Sequence, residues 1–245
     1  GSGTDEVGGT KLVTTWVDRR GGRGISMENP NSIQTTGFGS SPVVDSYLPI
    51  GSRDINVSDA SIFRVGDLVS VWCTWNYQWL DDIEYDELGK GTPLNRSIFR
   101  RIVGVNGNTI TIDAGTIHAI WDYHGGGYVA KITQTGHLEN CGVENLRVES
   151  VATDPFSDQH AMGSVGMSGF KNSWIRQVTG HWHGNGTGLV DSSFYITVED
   201  CAHLDHKDDP GGRYTFTNQE FTQLHQRCFA RGGRHDFLGN GAFVD

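Results

Sequence analysis

The sequence lacks any hydrophobic run long enough to cross a membrane, since no stretch of about 18 apolar residues occurs in the chain. Its first residues, Gly1-Ser2-Gly3, are not a basic segment followed by an apolar one, so we expect no signal peptide within this sequence. We interpret this start as that of a mature or recombinant form. The sequence therefore predicts no membrane span.

Proline is scarce, with 6 residues, whereas glycine is abundant, with 34. In the repeating part of the chain, described below, no unit carries a ten-residue apolar stripe with the i, i+3, i+4 spacing of an amphipathic helix. Abundant glycine with little proline is typical of an all-β protein that makes many tight turns. The composition therefore argues against helical repeats and favours β-structure.

Positively charged residues are fewer than negatively charged ones, with 19 Lys and Arg against 29 Asp and Glu, which gives a formal net charge of −10. Nucleic acid is not a predicted partner, since binding to phosphates needs a basic surface. An acidic polysaccharide remains a predicted partner, because a local basic groove is enough to attract it.

Cysteine is limited to Cys73, Cys141, Cys201 and Cys228, and no two of them form a C-x-x-C pair. A zinc site built on that motif is therefore not expected. The last two cysteines occupy equivalent positions of the repeat described next. They could form a disulfide, but we favour free buried thiols, because free cysteine is among the most buried residue types.

The chain contains a loose repeat between 141 and 236. Each unit has a short apolar–polar pattern that ends in an inward-type residue, and these residues are Leu146, Val178, Cys201 and Cys228. The steps between them are 32, 23 and 27 residues. Repeats of this length predict stacked units, and strand-rich units with loops of variable length favour a right-handed parallel β-helix. The alternative is a β-sandwich with irregularly spaced strands.

We divide the chain into early β-helix coils at 1–50, an antiparallel β insertion at 51–127, and the main coils at 128–245. The insertion carries a strong hairpin signal, since Asn106-Gly107-Asn108 separates two alternating apolar runs. Neither end of the sequence resembles a cap. We therefore expect either a longer natural chain or self-association through open β-helix ends.

The insertion also contains a dense aromatic run, Trp72, Trp75 and Trp79 among it, followed by an acidic run at 81–87. The tryptophans could form the core of the insertion or a platform for sugar rings. The acidic run could bind Ca²⁺ through oxygen ligands, but it lacks the spacing of a dedicated calcium loop. A solvated acidic loop is the favoured interpretation.

Four segments resemble secreted pectate-lyase-like β-helix proteins, in particular a subgroup with a β insertion and a Gly-Arg-His-Asp-Phe signature. These segments are 142–146, 174–179, 197–201 and 233–237. The resemblance implies a right-handed parallel β-helix and a secreted, extracellular protein. It implies no single activity, because the superfamily includes lyases, hydrolases, epimerases, tailspikes and adhesins. No catalytic motif of one activity matches residue by residue.

The histidines and their neighbours are the candidate catalytic residues. Elimination from a uronate needs a base, a cation on the carboxylate and an acid. The candidate bases are His181, His183 and His203, the clamp is Arg213 or Arg234, and the acid is Tyr214. The spacing predicts that His181 and His203 lie close together on the same side of the stack.

A structural alternative covers the same residues, since polar side chains on stacked turns can satisfy neighbouring backbone groups. On this interpretation Arg234, His235 and Asp236 form a network in which Asp236 orients His235. A transition metal on His203, Asp205 and His206 with 208–209 is disfavoured against a polar turn, so no metal site is predicted.

We predict an extracellular carbohydrate-active protein, a polysaccharide lyase or hydrolase that acts on an acidic glycan beside the β-helix. His235 completes the candidate catalytic set, and substrate binding is assigned to Trp72, Trp75, Trp79, Lys171 and Arg176. One alternative is a structural or adhesive β-helix, such as a filament subunit. The other is a glycan-binding module without chemistry.

Overall fold

The computed structural model describes residues 9–15, 22–85, 95–151, 160–191, 193–207, 214–218 and 222–239. Strands dominate this part of the chain, with one α-helix, α1 (Tyr77–Asp82), and a 3-10 helix at Asp122–His124. The strands are β1 (Thr10–Thr14), β2 (Arg23–Glu28), β3 (Ile33–Pro42), β4 (Tyr47–Leu48), β5 (Asp54–Asn56), β6 (Leu68–Thr74), β7 (Asn95–Asn106), β8 (Thr109–Ile112), β9 (Ile120–Trp121), β10 (Gly127–Thr135), β11 (Leu138–Glu139), β12 (Gly142–Ser150), β13 (Gly163–Ser168), β14 (Phe170–His181), β15 (Thr187–Asp191), β16 (Phe194–Glu199), β17 (Ala202–Leu204), β18 (Tyr214–Asn218), β19 (Gln223–Gln226), β20 (Phe229–Arg231) and β21 (His235–Gly239). In these described ranges no helix is long and apolar enough to span a membrane.

The chain forms two compact units. The antiparallel unit comprises 34–135, and the parallel unit comprises the residues before and after it. The sequence predicted the insertion at 51–127, so the observed unit begins earlier and ends later. The difference arises because β3 and β10 join the antiparallel sheet, whose strand order is β3-β10-β6-β7-β8-β5.

The parallel unit is a β-helix built from two sheets. The first sheet runs in the order β1-β12-β14-β16-β19, and β17 and β20 extend it beside β14. The second runs in the order β2-β13-β15-β18-β21. All pairings within both sheets are parallel, as stacked coils require. The predicted fold class, an all-β parallel β-helix with an antiparallel insertion, is confirmed.

The predicted register of the repeat is also confirmed. Leu146 pairs with Val178 between β12 and β14. The next coils continue it, because the flanking pairs place Cys201 beside both Val178 and Cys228. All four cysteines are free thiols, and Cys201 is buried.

Each coil bends at positions where a residue adopts a left-handed backbone conformation. The main bend of the first sheet is a ladder of such residues in register, Asn145, Gln177, Asp200 and Arg227, with φ between 50° and 61°. A second ladder, Trp182, Asp205 and Gly232, ends the sheet. Asn, Asp and Gly tolerate this conformation best, because their small or locally bonding side chains avoid the usual clash. These bends fix which side chains point inward.

The interior of the β-helix is apolar along most of its length. The fully buried core side chains include Val148, Val165, Met167, Ile175, Val178, Ile196, Val198 and Phe216. Since strand residues alternate between faces, the residues next to them point outward. The outward positions after the main bend carry the candidate site.

The antiparallel unit has its own core, in which Ile55, Ile102, Ile110 and Ile112 are fully buried. The predicted hairpin is confirmed, since β7 and β8 pair antiparallel and Asn106 lies opposite Thr109. Gly107 supplies the positive φ, at 55°, that this short turn needs. Helix α1 begins after Asn76, whose side chain accepts a hydrogen bond from the Trp79 amide.

Candidate functional site

A line of charged side chains crosses the outer face of the first sheet just beyond its main bend. Glu149, His181, Leu204 and Arg231 are in register on four adjacent coils. Three of these four residues are charged or titratable, since Leu204 is apolar. These three, together with Lys11, Arg147 and Asp205 beside them, form what we call the ion ladder. Its residues are Lys11, Arg147, Glu149, His181, Asp205 and Arg231.

Glu149 anchors one half of the ion ladder. Its carboxylate contacts Lys11 Nζ at 2.7 Å and accepts a hydrogen bond from Arg147 Nε. A second arm of the same guanidinium contacts His181 Nδ1 at 2.9 Å. Because arginine has only donors, Nδ1 must accept, which places the ring proton of neutral His181 on Nε2.

Asp205 anchors the other half. His181 Nε2 lies 3.4 Å from Asp205 Oδ2, so the imidazole stands between two carboxylates. Arg231 holds Asp205 in a two-pronged contact, with Nε 2.9 Å from Oδ1 and the terminal nitrogen 2.7 Å from Oδ2. This fork-to-carboxylate geometry is the strong form of an arginine contact.

The centre of the ion ladder is buried, and its ends are open. The side chains of Arg147, Glu149 and His181 are 6–10% exposed. By contrast, those of Lys11, Asp205 and Arg231 are 44–58% exposed. A ligand would therefore meet the two ends first, while the central groups are already held by their neighbours.

The electrostatics keep both carboxylates ionised. Burial pushes the pKa of Glu149 upward, but hydrogen bonds from Lys11 and Arg147 outweigh it and bring that pKa down to about 2. The hydrogen bond from Arg231 lowers the pKa of Asp205. Burial, and then the charge of Arg147, lower the pKa of His181. The imidazole is therefore neutral at pH 7.

The ion ladder has three permanent cations and two carboxylates, in a chain of net charge −10. The ion ladder therefore carries one more positive than negative charge, in contrast to the chain as a whole. Trp182 adjoins it, with its ring 4.3 Å from that of His181 between centroids, and Lys207 Nζ lies 4.6 Å from the Trp182 ring centre.

Of the predicted bases, only His181 lies in this site. His203 pairs with Gly180 in the sheet, so its side chain points into the β-helix, whereas His181 points out. The expectation that the two share one side of the stack is therefore wrong. His203 and His183 are both fully buried, where a polymeric substrate cannot reach them.

His203 instead belongs to a polar layer inside the coils. Its Nδ1 lies 3.1 Å from Thr187 Oγ1, which lies 2.6 Å from Ser164 Oγ. Next to it, His206 Nε2 lies 2.6 Å from Thr215 Oγ1. Burial lowers the pKa of His203 and brings that of His183 down to about 3, so both are neutral and structural.

Two other predicted catalytic residues, Tyr214 and His235, lie on the second sheet. Tyr214 and His235 stack in parallel with ring centroids 5.3 Å apart, and Arg234 is exposed beside them. In the described part of the chain, no hydrogen bond or ion pair joins them to His181. Arg213 lies outside the described residues.

The predicted network around Asp236 differs from the observed one. Asp236 accepts hydrogen bonds from Thr215 Oγ1 and the Gly233 amide, at 3.1 Å each. His235 faces the other way, against Tyr214, because adjacent strand residues alternate between faces. Asp236 therefore does not orient His235.

The predicted substrate-binding cations are engaged elsewhere on the outer surface. Lys171 pairs with Glu139 at 3.0 Å, and Arg176 pairs with Glu199 at 2.5 Å. Both contacts lie before the main bend, on the part of the first sheet that does not carry the ion ladder. Each cation therefore already has an acidic partner.

The predicted aromatic platform divides into two pairs. Trp75 and Trp79 stack on each other, with ring centroids 4.0 Å apart and planes at 4°. Trp72 stacks instead on Tyr128, with centroids 5.6 Å apart and planes at 9°. The three tryptophans therefore do not form one continuous platform.

No cluster of three or more His, Cys, Asp or Glu side chains within the described ranges has the geometry of a metal site. The residues at 208–209, and part of the acidic run at 81–87, lie outside those ranges.

Most of the ion ladder escaped the sequence prediction, although the repeat contained its signal. Glu149, His181, Leu204 and Arg231 each follow an inward repeat residue by three positions. Successive side chains of a strand point to opposite faces of the sheet. A residue three positions after an inward residue therefore points outward on every coil.

Comparison with known proteins finds the fold but no family. No family model and no curated protein sequence matches this chain. Among solved structures, the Pseudomonas phage phi297 tailspike gp61 superimposes with a TM-score of 0.51 at 13% identity, over 95% of this chain and 35% of the tailspike. At this identity the similarity shows the fold alone.

Two other tailspikes align less closely. The gp49 tailspike of Pseudomonas phage LKA1 has a TM-score of 0.45 at 14% identity, over 79% of this chain and 29% of its own. The gp54 tailspike of Acinetobacter baumannii bacteriophage AP22, solved with a capsular saccharide, has a TM-score of 0.35 at 11% identity, over 87% and 34%. This chain spans about a third of each tailspike. The phi297 tailspike supports the β-helix fold, and the comparisons give no support to the pectate-lyase-like subgroup.

Proposed function

We propose that this chain is an extracellular carbohydrate-active β-helix that binds an acidic polysaccharide along the ion ladder and hydrolyses it. The observation that carries this proposal is the placement of two ionised carboxylates, Glu149 and Asp205, on either side of His181, with three cations around them. The extracellular location is inferred from the resemblance of the sequence to secreted β-helix proteins.

The cations favour an acidic substrate. Arg231 and Lys11 are the exposed ends of the ion ladder, about four coils apart, so a chain laid across the coils can contact both. Arg231 holds Asp205 with the same fork that binds a sugar carboxylate. A uronate or another acidic sugar can therefore compete with Asp205 for Arg231.

Hydrolysis fits the geometry better than elimination does. An eliminating base needs an open nitrogen, but His181 Nδ1 accepts from Arg147 and Nε2 faces Asp205. Inverting hydrolases place two carboxyl groups about 6.5–9.5 Å apart with a water between them and the sugar. Glu149 and Asp205 belong to coils two steps apart, so their backbones are about 9.6 Å apart at the usual strand spacing, which is close to the upper limit of that range.

The two carboxylates would take different roles. Glu149 stays ionised because Lys11 and Arg147 hold its pKa at about 2, so it stabilises positive charge on the sugar and, as a weak base, accepts the proton of the attacking water. Asp205 is the general acid. When a substrate carboxylate draws Arg231 away, the main cause of its lowered pKa is removed, and it can bind a proton.

A matched pair of variants tests the proposal. Asp205→Asn removes one carboxylate of the site, whereas Asp200→Asn removes a carboxylate held by Arg227 in the same two-pronged way but away from His181. With acidic polysaccharides as substrates, release of reducing ends should fall at least a hundredfold in Asp205→Asn and in Glu149→Gln. Asp200→Asn should stay within twofold of the parent.

The products decide the reaction class. Hydrolysis yields new reducing ends without ultraviolet absorbance, whereas elimination yields an unsaturated, absorbing sugar. Products that absorb ultraviolet light would show that the protein is a lyase and not a hydrolase. Equal loss in Asp205→Asn and Asp200→Asn would mean that the ion ladder is not the active site.

A specific observation favours a second candidate, an acidic-glycan receptor without turnover. Both carboxylates of the ion ladder have lowered pKa values, so neither is a ready acid in the free protein. This candidate predicts binding of an acidic polysaccharide that Arg231→Ala weakens, with no products of either kind.

A further inference from the structure

The antiparallel unit contains a cavity that the ion ladder does not use. It measures about 300 Å³ and opens to solvent. Its lining is Gly37, Gly39, Ser40, Trp72, Tyr128 and Ala130. These residues come from β3, β6 and β10, which are neighbours in one sheet. The cavity therefore belongs to a sheet face rather than to a loop.

Two aromatic rings form the wall of this cavity. Trp72 and Tyr128 lie directly opposite each other on β6 and β10, and their rings are parallel. Trp72 Nε1 donates a hydrogen bond to Ser70 Oγ at 2.7 Å, which fixes the orientation of the indole. Each ring is half-buried, so part of its surface remains available. Rigid, amphipathic ring faces of this kind suit the C–H face of a sugar.

Glycines leave room in front of the rings. A Cβ atom at Gly37 would meet no other atom within 4 Å, whereas at Gly39 it would meet Ile62 at 3.2 Å. Both glycines have a positive φ, at 120° and 109°, which other residues rarely adopt. At these two positions the strand therefore places no side chain in front of the rings.

From this geometry we infer that the antiparallel unit holds a second saccharide site, which binds one neutral pyranose ring against Trp72 and Tyr128. The volume is at the lower end of the range for ligand pockets, about 300–1,000 Å³, and suits a single ring. All six lining residues are uncharged, so the site lacks the cation that an acidic sugar would need. The cavity should therefore prefer a neutral sugar, whereas the ion ladder is expected to prefer an acidic one. The inference does not rest on the proposed hydrolysis.

Binding of small glycosides tests the inference. The probes are methyl glucopyranoside, methyl galactopyranoside and the methyl glycoside of glucuronic acid, followed by saturation-transfer NMR and titration of tryptophan fluorescence. A neutral glycoside should bind the parent protein saturably at millimolar concentrations. Tyr128→Ala and Trp72→Ala should weaken that binding at least tenfold, and Ala130→Phe should abolish it by filling the cavity.

Two variants serve as controls. Tyr47→Ala removes an exposed aromatic of the same unit that packs on Trp121 outside the cavity, and it should bind as the parent does. Asp205→Asn disables the ion ladder and should also leave neutral-glycoside binding unchanged. Circular dichroism and thermal unfolding identify any variant that fails to fold.

Three outcomes would overturn the inference. The first is the absence of saturable binding for every neutral glycoside up to about 50 mM. The second is unchanged binding in a folded Ala130→Phe protein. The third is preference for the glucuronide, with loss in Asp205→Asn, which would assign the sugar to the ion ladder.

Discussion

Replacing Glu149 with glutamine should make stability depend on pH in a defined way. In the folded protein the pKa of Glu149 is about 2, against an ordinary value of 4.5. A group whose pKa is lowered by folding stabilises the fold above its unfolded pKa, and this contribution is lost as the pH falls toward its folded pKa. The difference of pKa values corresponds to about 3 kcal/mol. The side chain is only 10% exposed, so solvent screens this interaction little.

The measurement is denaturant unfolding, followed by tryptophan fluorescence, at several pH values between 7 and 2. Above pH 4.5 the parent should be more stable than Glu149→Gln by about 3 kcal/mol, and the difference should shrink toward zero near pH 2. Glu139→Gln is the control, because the pair of Glu139 with Lys171 is exposed and should contribute at most about 1 kcal/mol. A gap between parent and Glu149→Gln that stays constant down to pH 2 would refute the assignment.

Two further predictions concern the same coils. Gly180→Ala should lower the free energy of unfolding by about 1–3 kcal/mol, because its Cβ would overlap the Thr187 hydroxyl and lie 2.6 Å from His203 Nδ1. The matched Gly104→Ala, with its nearest contacts at 3.2 Å, should cost less, and equal losses in denaturant melts would contradict this reasoning. Arg231→Ala should raise the pKa of Asp205, measured by carbon NMR of the carboxyl, whereas Arg227→Ala should not. An unchanged titration of Asp205 would show that Arg231 does not control it.

The fold could be predicted because its main determinants are local and periodic. Leu146 and Val178 mark the inward position of successive coils, and the hairpin at Asn106-Gly107-Asn108 carries its own turn chemistry. The limits of the antiparallel unit were harder to predict. The strand pairing of β3 depends on a partner about 90 residues away, and no local pattern in the sequence marks that pairing.

The candidate site was predicted only in part, for a physical reason. A histidine in a sequence suggests a catalytic residue. A histidine whose side chain points into the β-helix is instead a core residue. His203 is such a case, since it is fully buried and contacts Thr187. The number of positions between a residue and the inward residue of its repeat decides whether its side chain points inward or outward. This count places the side chains of His181 and His203 on opposite faces of the sheet.

The bends of the β-helix connect the fold to the site. Asp205 belongs to the ladder of left-handed residues that ends the first sheet, with φ at 53°, and it is also the carboxylate that faces His181. Aspartate is one of the few residues that adopt this conformation at low cost. The same residue type therefore serves the bend and the chemistry. Asp205→Asn keeps the bend because asparagine tolerates it equally well, so a loss of activity in that variant would report the carboxylate and not the fold.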